Sequence, residues 1–180
     1  MIVTDDDELA SRCRKLRNLF FTAESRFVHE EMGWNLRMTN MQAALGLAQL
    51  ERLGQHRDRK REIGRRYNER FSQLEGVFLP VDRTEYADNI YWVYGVVLKD
   101  DVPFDAVRAM RRLGDMQIGT RPFFCPMNRQ PVFRNMGLFT DLSCPNAEHI
   151  YNRGFYIPSG LGMDDDQIER VADAVEELLA

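Results

Sequence analysis

The sequence predicts an α/β fold in which helices cover a small sheet, and three observations support this prediction. Capping boxes at residues 39–42 (T-x-x-Q) and 164–167 (D-x-x-Q) each open a run with helical apolar spacing. The β-branched and aromatic run NIYWVYGVVL, residues 89–98, is typical of a buried strand. Strand and helix patterns alternate after residue 76, and this order favours helices packed on a sheet.

The first 53 residues are predicted to form two helices joined by a loop. Ile2 and Val3 have the character of a strand end, and Thr4 is placed to cap the first helix. Residues 21–33 lack a clean period and are predicted to form the loop. The apolar positions of the first helix are Leu9, Cys13, Leu16 and Phe20. The apolar face of the second helix, which we expect in the core, is formed by Met41, Ala44, Leu45, Ala48 and Leu53.

The remainder of the chain is predicted to alternate between strands and helices. A charged helix over residues 57–74 is expected to bury Ile63, Tyr67, Phe71 and Leu74 on one side. The apolar and aromatic segments VFLP, residues 77–80, and NIYWVYGVVL, residues 89–98, together indicate one buried strand. The elements after it are a helix at 104–113, a strand at 117–121, short helices at 131–136 and 146–153, a strand or extended segment at 155–158 and a last helix that buries Ile168, Val171, Val175 and Leu178.

Composition narrows the classes of function. The chain carries 24 basic and 28 acidic residues for a net charge of −4, which argues against nucleic acid as the main partner. No apolar run approaches the roughly 20 residues of a membrane span, and no signal peptide follows Met1. The cysteines, Cys13, Cys125 and Cys144, form neither a metal pattern nor a disulfide framework. We therefore expect a soluble cytoplasmic protein.

The first candidate site is the segment Trp34-Asn35-Leu36-Arg37, directly before the second helix. An amide and a guanidinium at a helix N-terminus suit an anionic ligand, because free backbone N–H groups there favour negative charge. The alternative is that Arg37 pairs with a surface acid and Asn35 caps a turn. His29, in the nearby segment RFVHEE, would be close enough to contact a ligand.

The second candidate site is GTRPFFCPMNRQP, residues 119–131. Thr120 and Arg121 end a predicted strand, and two prolines stiffen the aromatic loop that follows. Loops at strand ends often carry function, and this one suits a ligand with an anionic part and a flat or apolar part. The alternative is a structural loop that buries Phe123 and Phe124 under the sheet.

Three segments together resemble one family: GWNLRMTNMQAALGLAQLERL, IGTRPFF-x-P-x-x-x-QPVF and RGFYIPSGLGMDDDQIERV. They are similar to the C-terminal half of the DegT-type sugar aminotransferases, which are pyridoxal-phosphate (PLP) enzymes of fold type I. The resemblance runs over residues 1–180. It implies that residues 1–53 are the tail of the PLP-binding large domain with its linking helix. Residues 54–180 would then be the small C-terminal α/β domain with a mostly antiparallel sheet.

The resemblance implies a function for the complete enzyme. PLP would be the cofactor, and an amino group would pass from glutamate to a nucleotide-linked 4-keto-6-deoxy sugar. The enzyme would be a homodimer with a shared active site. One alternative is a non-enzymatic remnant that acts only as a folded or dimerising module. A lyase or racemase of the same fold type is a further option.

The resemblance also implies roles for particular residues. The Schiff-base lysine is expected upstream of Met1, because Lys15, Lys60 and Lys99 do not match it. We therefore expect this chain alone to bind no PLP and to be inactive. In the cofactor site, Asn35 would reach the PLP phosphate of the partner subunit, with help from Arg37. In the substrate site, the expected residues are Phe27, His29, Thr120, Arg121, Phe123 and Asn128, the last standing where many relatives have histidine.

Overall fold

The computed structural model describes residues 1–21 and 27–180, which fall into two compact units, Met1–Leu53 and Gly54–Ala180. The part of the predicted loop at residues 22–26 lies outside the described residues. The helices are α1 (Asp7–Leu16), α2 (Asn40–Glu51), α3 (Leu53–Phe71), α4 (Ala106–Asp115), α5 (Pro131–Asn135), α6 (Pro145–Arg153) and α7 (Asp165–Leu179). The strands are β1 (Val77–Phe78), β2 (Tyr94–Leu98), β3 (Arg121–Pro122) and β4 (Gly154–Ile157).

The four strands form one sheet in the order β1-β2-β4-β3, and every neighbouring pair is antiparallel. The predicted α/β class with a small, mostly antiparallel sheet is confirmed. Directly paired residues share a face of the sheet, so the register between β2 and β4 assigns the two faces. Tyr94 with Ile157 and Val96 with Phe155 point into the core, whereas Gly95 with Tyr156 point to the other side.

The core of the second unit lies between this sheet face and helices α3, α4 and α7. The predicted inner face of α3 is confirmed for Ile63, Tyr67 and Phe71, and Leu74 packs at its edge. The predicted inner face of α7 is fully buried. Arg66 and Arg70 of α3 also pair with Glu169 of α7, and their hydrogen bonds lower the pKa of that carboxyl.

Tyr91 has an unusual backbone conformation, and its ring packs directly on a glycine. Its φ of 49° lies in the left-handed region, which is unusual for an aromatic residue. Its ring lies directly on Gly64 of α3, where a Cβ atom would overlap the ring. The hydroxyl donates to Asp82 and accepts from Asn68, both at 2.9 Å. Burial raises the pKa of Tyr91 to about 12, so the phenol stays protonated as a hydrogen-bond donor.

The helix starts were predicted well where a capping box defines them. Thr39 with Gln42 and Asp164 with Gln167 both form reciprocal boxes. Helix α1 differs, because Asp6 and not Thr4 caps it by accepting from the Leu9 N–H at 2.9 Å.

Three sequence predictions for the sheet and the first strand were wrong. Ile2 and Val3 lie in no strand, and within the described part of the chain no strand runs beside them. The third strand is not at 117–121 but at Arg121–Pro122, because Gln117 has a φ of 64° and turns the chain after α4. The strand predicted at 89–98 begins only at Tyr94, since the left-handed Tyr91 interrupts it.

Helix α2 does not bury the apolar face expected in the core. None of its residues is buried, and Met41 and Leu45 are 80% and 69% exposed. Leu47 and Leu50 are also exposed, so the helix is apolar on several sides. A helix that is apolar all round is normally covered in a complete assembly. The 3.6-residue period correctly predicted a helix but could not predict what covers it.

The Tyr91–Gly64 contact predicts a large effect for a small substitution. Gly64→Ala should lower the free energy of unfolding by about 1–3 kcal/mol, because the added methyl group must displace a fully packed ring. Gly114→Ala is the matched control, since no atom lies within 4 Å of the position its methyl group would take and alanine favours a helix. Urea unfolding of both variants measures the difference. Equal stability of the two variants would contradict this packing.

Candidate functional site

The segment that carries Asn35 is fixed by backbone hydrogen bonds to the end of α1. The Trp34 N–H donates to the Leu16 carbonyl at 2.7 Å, and the Leu36 N–H donates to the Arg17 carbonyl at 3.0 Å. Between these bonds Asn35 forms an antiparallel bridge with Asn18. The backbone on both sides of Asn35 is therefore held, although the residue itself lies on the surface.

Among the side chains of residues 34–37, the Asn35 amide is available to a ligand. The Arg37 Nη1 donates to the Asn18 Oδ1 at 3.3 Å, so its partner is an amide and not an acid. The cap of α2 is Thr39 and not Asn35. The Asn35 amide makes no hydrogen bond to any residue in the ranges that the structure describes. An exposed amide on a fixed backbone can donate to an anion without first breaking an internal bond.

His29 and Phe27 lie close to this segment, within the same unit. The His29 Nδ1 lies 2.7 Å from the Leu19 carbonyl, and its ring is 5.1 Å from the ring of Phe21. Phe27 packs edge-on against Phe21 at 5.6 Å. His29 lines a surface cavity of about 460 Å³ with Leu19, Glu30, Glu31, Met32 and Gly33. The first unit thus brings together four of the predicted site residues, Phe27, His29, Asn35 and Arg37.

The second candidate site lies at the β3 edge of the sheet, in the other unit. Arg121 pairs with Tyr156 of β4 and is exposed, and Thr120 before it is half-buried. The Phe123 ring reaches back across the sheet and packs edge-on against Tyr156 at 4.3 Å. It lies over Gly95, where a Cβ atom would come within 2.6 Å of it.

Gly154 forms the other half of the seat for Phe123, because a Cβ atom there would overlap the ring. The seat leaves Phe124 as the aromatic side chain that projects from this edge, with 76% of its surface exposed. Sequence reasoning selected Phe123 and passed over Phe124. The available signal was a pair of glycines inside two strands, which often marks a place where another group approaches closely.

Asn128 lies inside the loop and not at its surface. It is 3% exposed, and its Nδ2 donates to the Leu142 carbonyl at 3.1 Å and to the Glu148 carboxylate at 2.8 Å. Its Oδ1 is buried with no hydrogen-bond partner among the described residues. The hydrogen bond from Asn128, followed by one from the Cys144 N–H, lowers the pKa of Glu148. Asn128 thus ties this loop to α6.

Each of the three lysines, Lys15, Lys60 and Lys99, contacts another residue of the chain. The ammonium groups of Lys15 and Lys99 lie over the rings of Phe20 and Phe78, at 5.7 and 5.5 Å from the ring centroids. The Lys60 Nζ donates to the carbonyl and the hydroxyl of Ser159, and burial lowers its pKa.

Two other kinds of site have no support in the described parts of the chain. Across residues 1–21 and 27–180, no three or more His, Cys, Asp or Glu side chains are grouped to hold a metal ion. None of the helices described above is both long and apolar enough to cross a bilayer.

Comparison with known proteins identifies the family. Residues 1–176 match the DegT/DnrJ/EryC1/StrS aminotransferase family. The chain belongs to this family. GDP-perosamine synthase of Vibrio cholerae is 29% identical over 177 residues, which make up 98% of this chain and 47% of that protein. GDP-perosamine synthase of Caulobacter vibrioides is 30% identical over 179 residues, or 99% and 47%. The chain thus spans about half the length of these curated relatives.

Two solved structures share the fold. The aminotransferase TlmJ from Streptoalloteichus hindustanus superimposes with a TM-score of 0.83 at 26% identity, over 97% of this chain and 46% of that chain. DesV from S. venezuelae gives a TM-score of 0.81 at 28% identity, over 97% and 45%. The predicted resemblance to the DegT-type sugar aminotransferases is therefore confirmed for family and fold.

The glycine seat predicts opposite outcomes for two adjacent aromatic residues. Phe123→Ala should lower the free energy of unfolding by about 2 kcal/mol, since a fully buried phenylalanine is worth about 3–5 kcal/mol and this ring is half-buried. Phe124→Ala, the matched control, should change it by less than about 0.5 kcal/mol, as is usual for an exposed side chain. Chemical denaturation distinguishes them, and a larger loss for Phe124→Ala would contradict the seat.

Proposed function

We propose that this chain is the C-terminal part of a PLP-dependent sugar aminotransferase. The enzyme transfers the amino group of glutamate to a nucleotide-linked 4-keto-6-deoxy sugar, as in GDP-perosamine synthase. Residues 1–53 serve as the tail of the PLP-binding large domain, and residues 54–180 as its small domain. The observation that carries the proposal is the Asn35 amide, which is fixed through its backbone, exposed, and without a partner among the described residues.

The residues of the first unit fit the phosphate end of PLP. Asn35 supplies an uncommitted donor, and the Arg37 guanidinium lies beside it through its contact with Asn18. Both precede the N-terminus of α2, where backbone dipoles favour a dianion. When bound, PLP supplies the carbonyl carbon that accepts and returns the amino group, and the conjugated ring that spreads the developing negative charge.

In this proposal none of the three lysines of the chain forms the Schiff base that the chemistry requires. The Lys60 ammonium already donates to Ser159. The ammonium groups of Lys15 and Lys99 lie over the rings of Phe20 and Phe78. We therefore propose that this polypeptide alone neither binds PLP firmly nor transaminates, and that Asn35 and Arg37 act in a site shared between the subunits of a homodimer.

The proposed roles in sugar-nucleotide binding follow the family resemblance residue by residue. In the proposal His29 and Phe27 face the sugar from the partner subunit, while Thr120 and Arg121 form the small-domain edge of the nucleotide site. Phe123 shapes that edge from its seat on the sheet, and Asn128 supports the loop from inside. A cytoplasmic location, where nucleotide sugars are made, accords with this function.

The proposal is tested with the protein isolated from its natural source. Its intact mass and its absorbance at the visible edge are measured first. It is then incubated with PLP, glutamate and GDP-4-keto-6-deoxymannose, and products are identified by mass spectrometry. We expect a sugar product that carries nitrogen from labelled glutamate. A product that has lost water without gaining nitrogen indicates a lyase. A 21.0 kDa species without cofactor absorbance or product excludes activity for this polypeptide alone and leaves its family assignment standing.

The Asn35 role predicts weaker cofactor binding when its amide is removed. Asn35→Leu should cost about 1.5–3 kcal/mol, the value of a hydrogen bond to a charged group, and so weaken PLP binding to the active enzyme about tenfold or more. Asn146→Leu is the control, because Asn146 is an exposed asparagine at the start of α6. Fluorescence titration with PLP measures both. Equal affinities would remove Asn35 from the phosphate site.

The exposed face of α2 predicts association. An exposed apolar helix surface such as this one normally contacts a partner, so we expect a dimer in solution. Leu45→Glu should shift the equilibrium towards monomer, because it places a charge in the centre of that surface. Leu161→Glu, at an isolated exposed leucine in a turn, should leave it unchanged. Light scattering over a concentration series measures the mass, and a monomeric wild type would contradict the expectation.

A further inference from the structure

We propose that the Leu19 carbonyl positions His29 as a hydrogen-bond acceptor for a hydroxyl group of the sugar. The inference rests on the proposed function only for the nature of the ligand. The orientation and protonation of the ring are argued from the first unit itself, and they are tested without any enzymatic activity.

The contact with Leu19 determines which ring nitrogen carries the proton. The His29 Nδ1 lies 2.7 Å from the carbonyl oxygen, and a carbonyl only accepts hydrogen bonds. Nδ1 must therefore be the protonated nitrogen of the neutral ring, as is usual for a histidine held by a backbone carbonyl. This leaves Nε2 with a lone pair. A ring in this tautomer accepts a hydrogen bond from a ligand at Nε2 and cannot donate one there.

The carbonyl is presented by a strained turn. Leu19 and Phe20 both have left-handed φ values, 57° and 58°. Such conformations are unfavourable for residues other than glycine and persist where surrounding contacts hold them. Here the Leu19 N–H donates to the Trp34 carbonyl at 3.1 Å, and the Phe20 N–H donates to the Lys15 carbonyl at 2.8 Å. Strain of this kind is frequent at ligand sites.

Gly33 is what allows the strained turn to approach the next segment. A Cβ atom at Gly33 would meet the Phe20 nitrogen at 2.5 Å and the Leu19 carbonyl carbon at 2.7 Å. These are backbone atoms and cannot rotate away as a side chain would. Because residue 33 has no side chain, the Leu19 carbonyl can occupy this position, and the carbonyl in turn orients the His29 ring.

The surroundings of His29 favour a neutral ligand with hydroxyl donors. Among the residues that the structure describes, the other polar side chains lining its cavity are the carboxylates of Glu30 and Glu31, and Glu31 pairs with Arg12 at 3.2 Å. Carboxylates accept hydrogen bonds and repel anions. With Nε2 also an acceptor, each of these side chains suits a hydroxyl donor. Its volume of about 460 Å³ lies in the range of small-molecule sites.

The first test reads the tautomer directly. Long-range ¹H–¹⁵N correlation spectra of the intact chain, recorded above the titration range of histidine, distinguish the protonated from the unprotonated ring nitrogen. We expect His29 to show a single form with the proton on Nδ1. His56, which makes no hydrogen bond to any of the described residues, serves as the internal reference for a ring with no fixed tautomer. A His29 spectrum with the proton on Nε2, or with the two forms averaged, would overturn the inference.

Two variants link the tautomer to the turn. Gly33→Ala should displace the Leu19 carbonyl and convert the single form of His29 into a mixture. Gly46→Ala, in α2 with nothing within 4 Å of the added methyl group, is the matched control and should leave the spectrum unchanged. Leu19→Gly should preserve the Nδ1 form, since glycine adopts a positive φ without strain. If Leu19→Gly lost the single Nδ1-protonated form of His29 while Gly33→Ala retained it, the proposed link between the turn and the tautomer would be contradicted.

The ligand arm uses methyl α-mannoside and, separately, GDP, each added to saturation. The mannoside should shift the Nε2 resonance of His29, because a hydroxyl then donates to its lone pair, and GDP should not. A shift with GDP alone, or none with the mannoside, would overturn the assignment of a hydroxyl ligand. Because none of these readouts requires PLP, they remain informative even if the transamination assay fails.

Discussion

The pairing of β4 with β2 is the interaction on which the second unit depends. Four consecutive residue pairs connect the strands, and their register assigns each side chain to the core or to the opposite face. Tyr94, Val96, Phe155 and Ile157 meet helices on one side. Gly95 and Gly154 leave room on the other for Phe123, whose position in turn determines that Phe124 projects. A shift of one residue would exchange the two faces, so that the core and the candidate nucleotide edge would both be lost.

The first unit relies on the backbone in a different way. Its candidate residues are exposed side chains on a segment that carries little buried surface, so packing alone would not hold them. Backbone hydrogen bonds between residues 16–19 and 34–36 supply the rigidity instead. Among the residues that the structure describes, this arrangement leaves the Asn35 amide and the Nε2 of His29 without a hydrogen-bond partner. Preorganised groups of this kind bind a ligand without a further cost of ordering.

Local chemistry explains which features were predictable from sequence. The starts of α2 and α7 followed from capping boxes, in which every partner lies within three residues. The position of β3 did not, because it depends on pairing with β4, which lies more than thirty residues further along the chain. The candidate site residues were found by motif, yet their roles required the folded structure. The seat of Phe123 and the burial of Asn128 depend on contacts between distant segments, and no spacing rule reports them.

The ion pairs between α3 and α7 join two helices that are synthesised at different times. Arg66 and its partner Glu169 are 103 residues apart, and the buried faces of both helices complete the same core. At a synthesis rate of about 5–20 residues per second, α7 is synthesised roughly 5–20 seconds after α3. During that interval Tyr67 and Phe71 of α3 can already contact Tyr94, but the part of the core that α7 contributes is missing. The core of the second unit is therefore completed only after α7 has been synthesised.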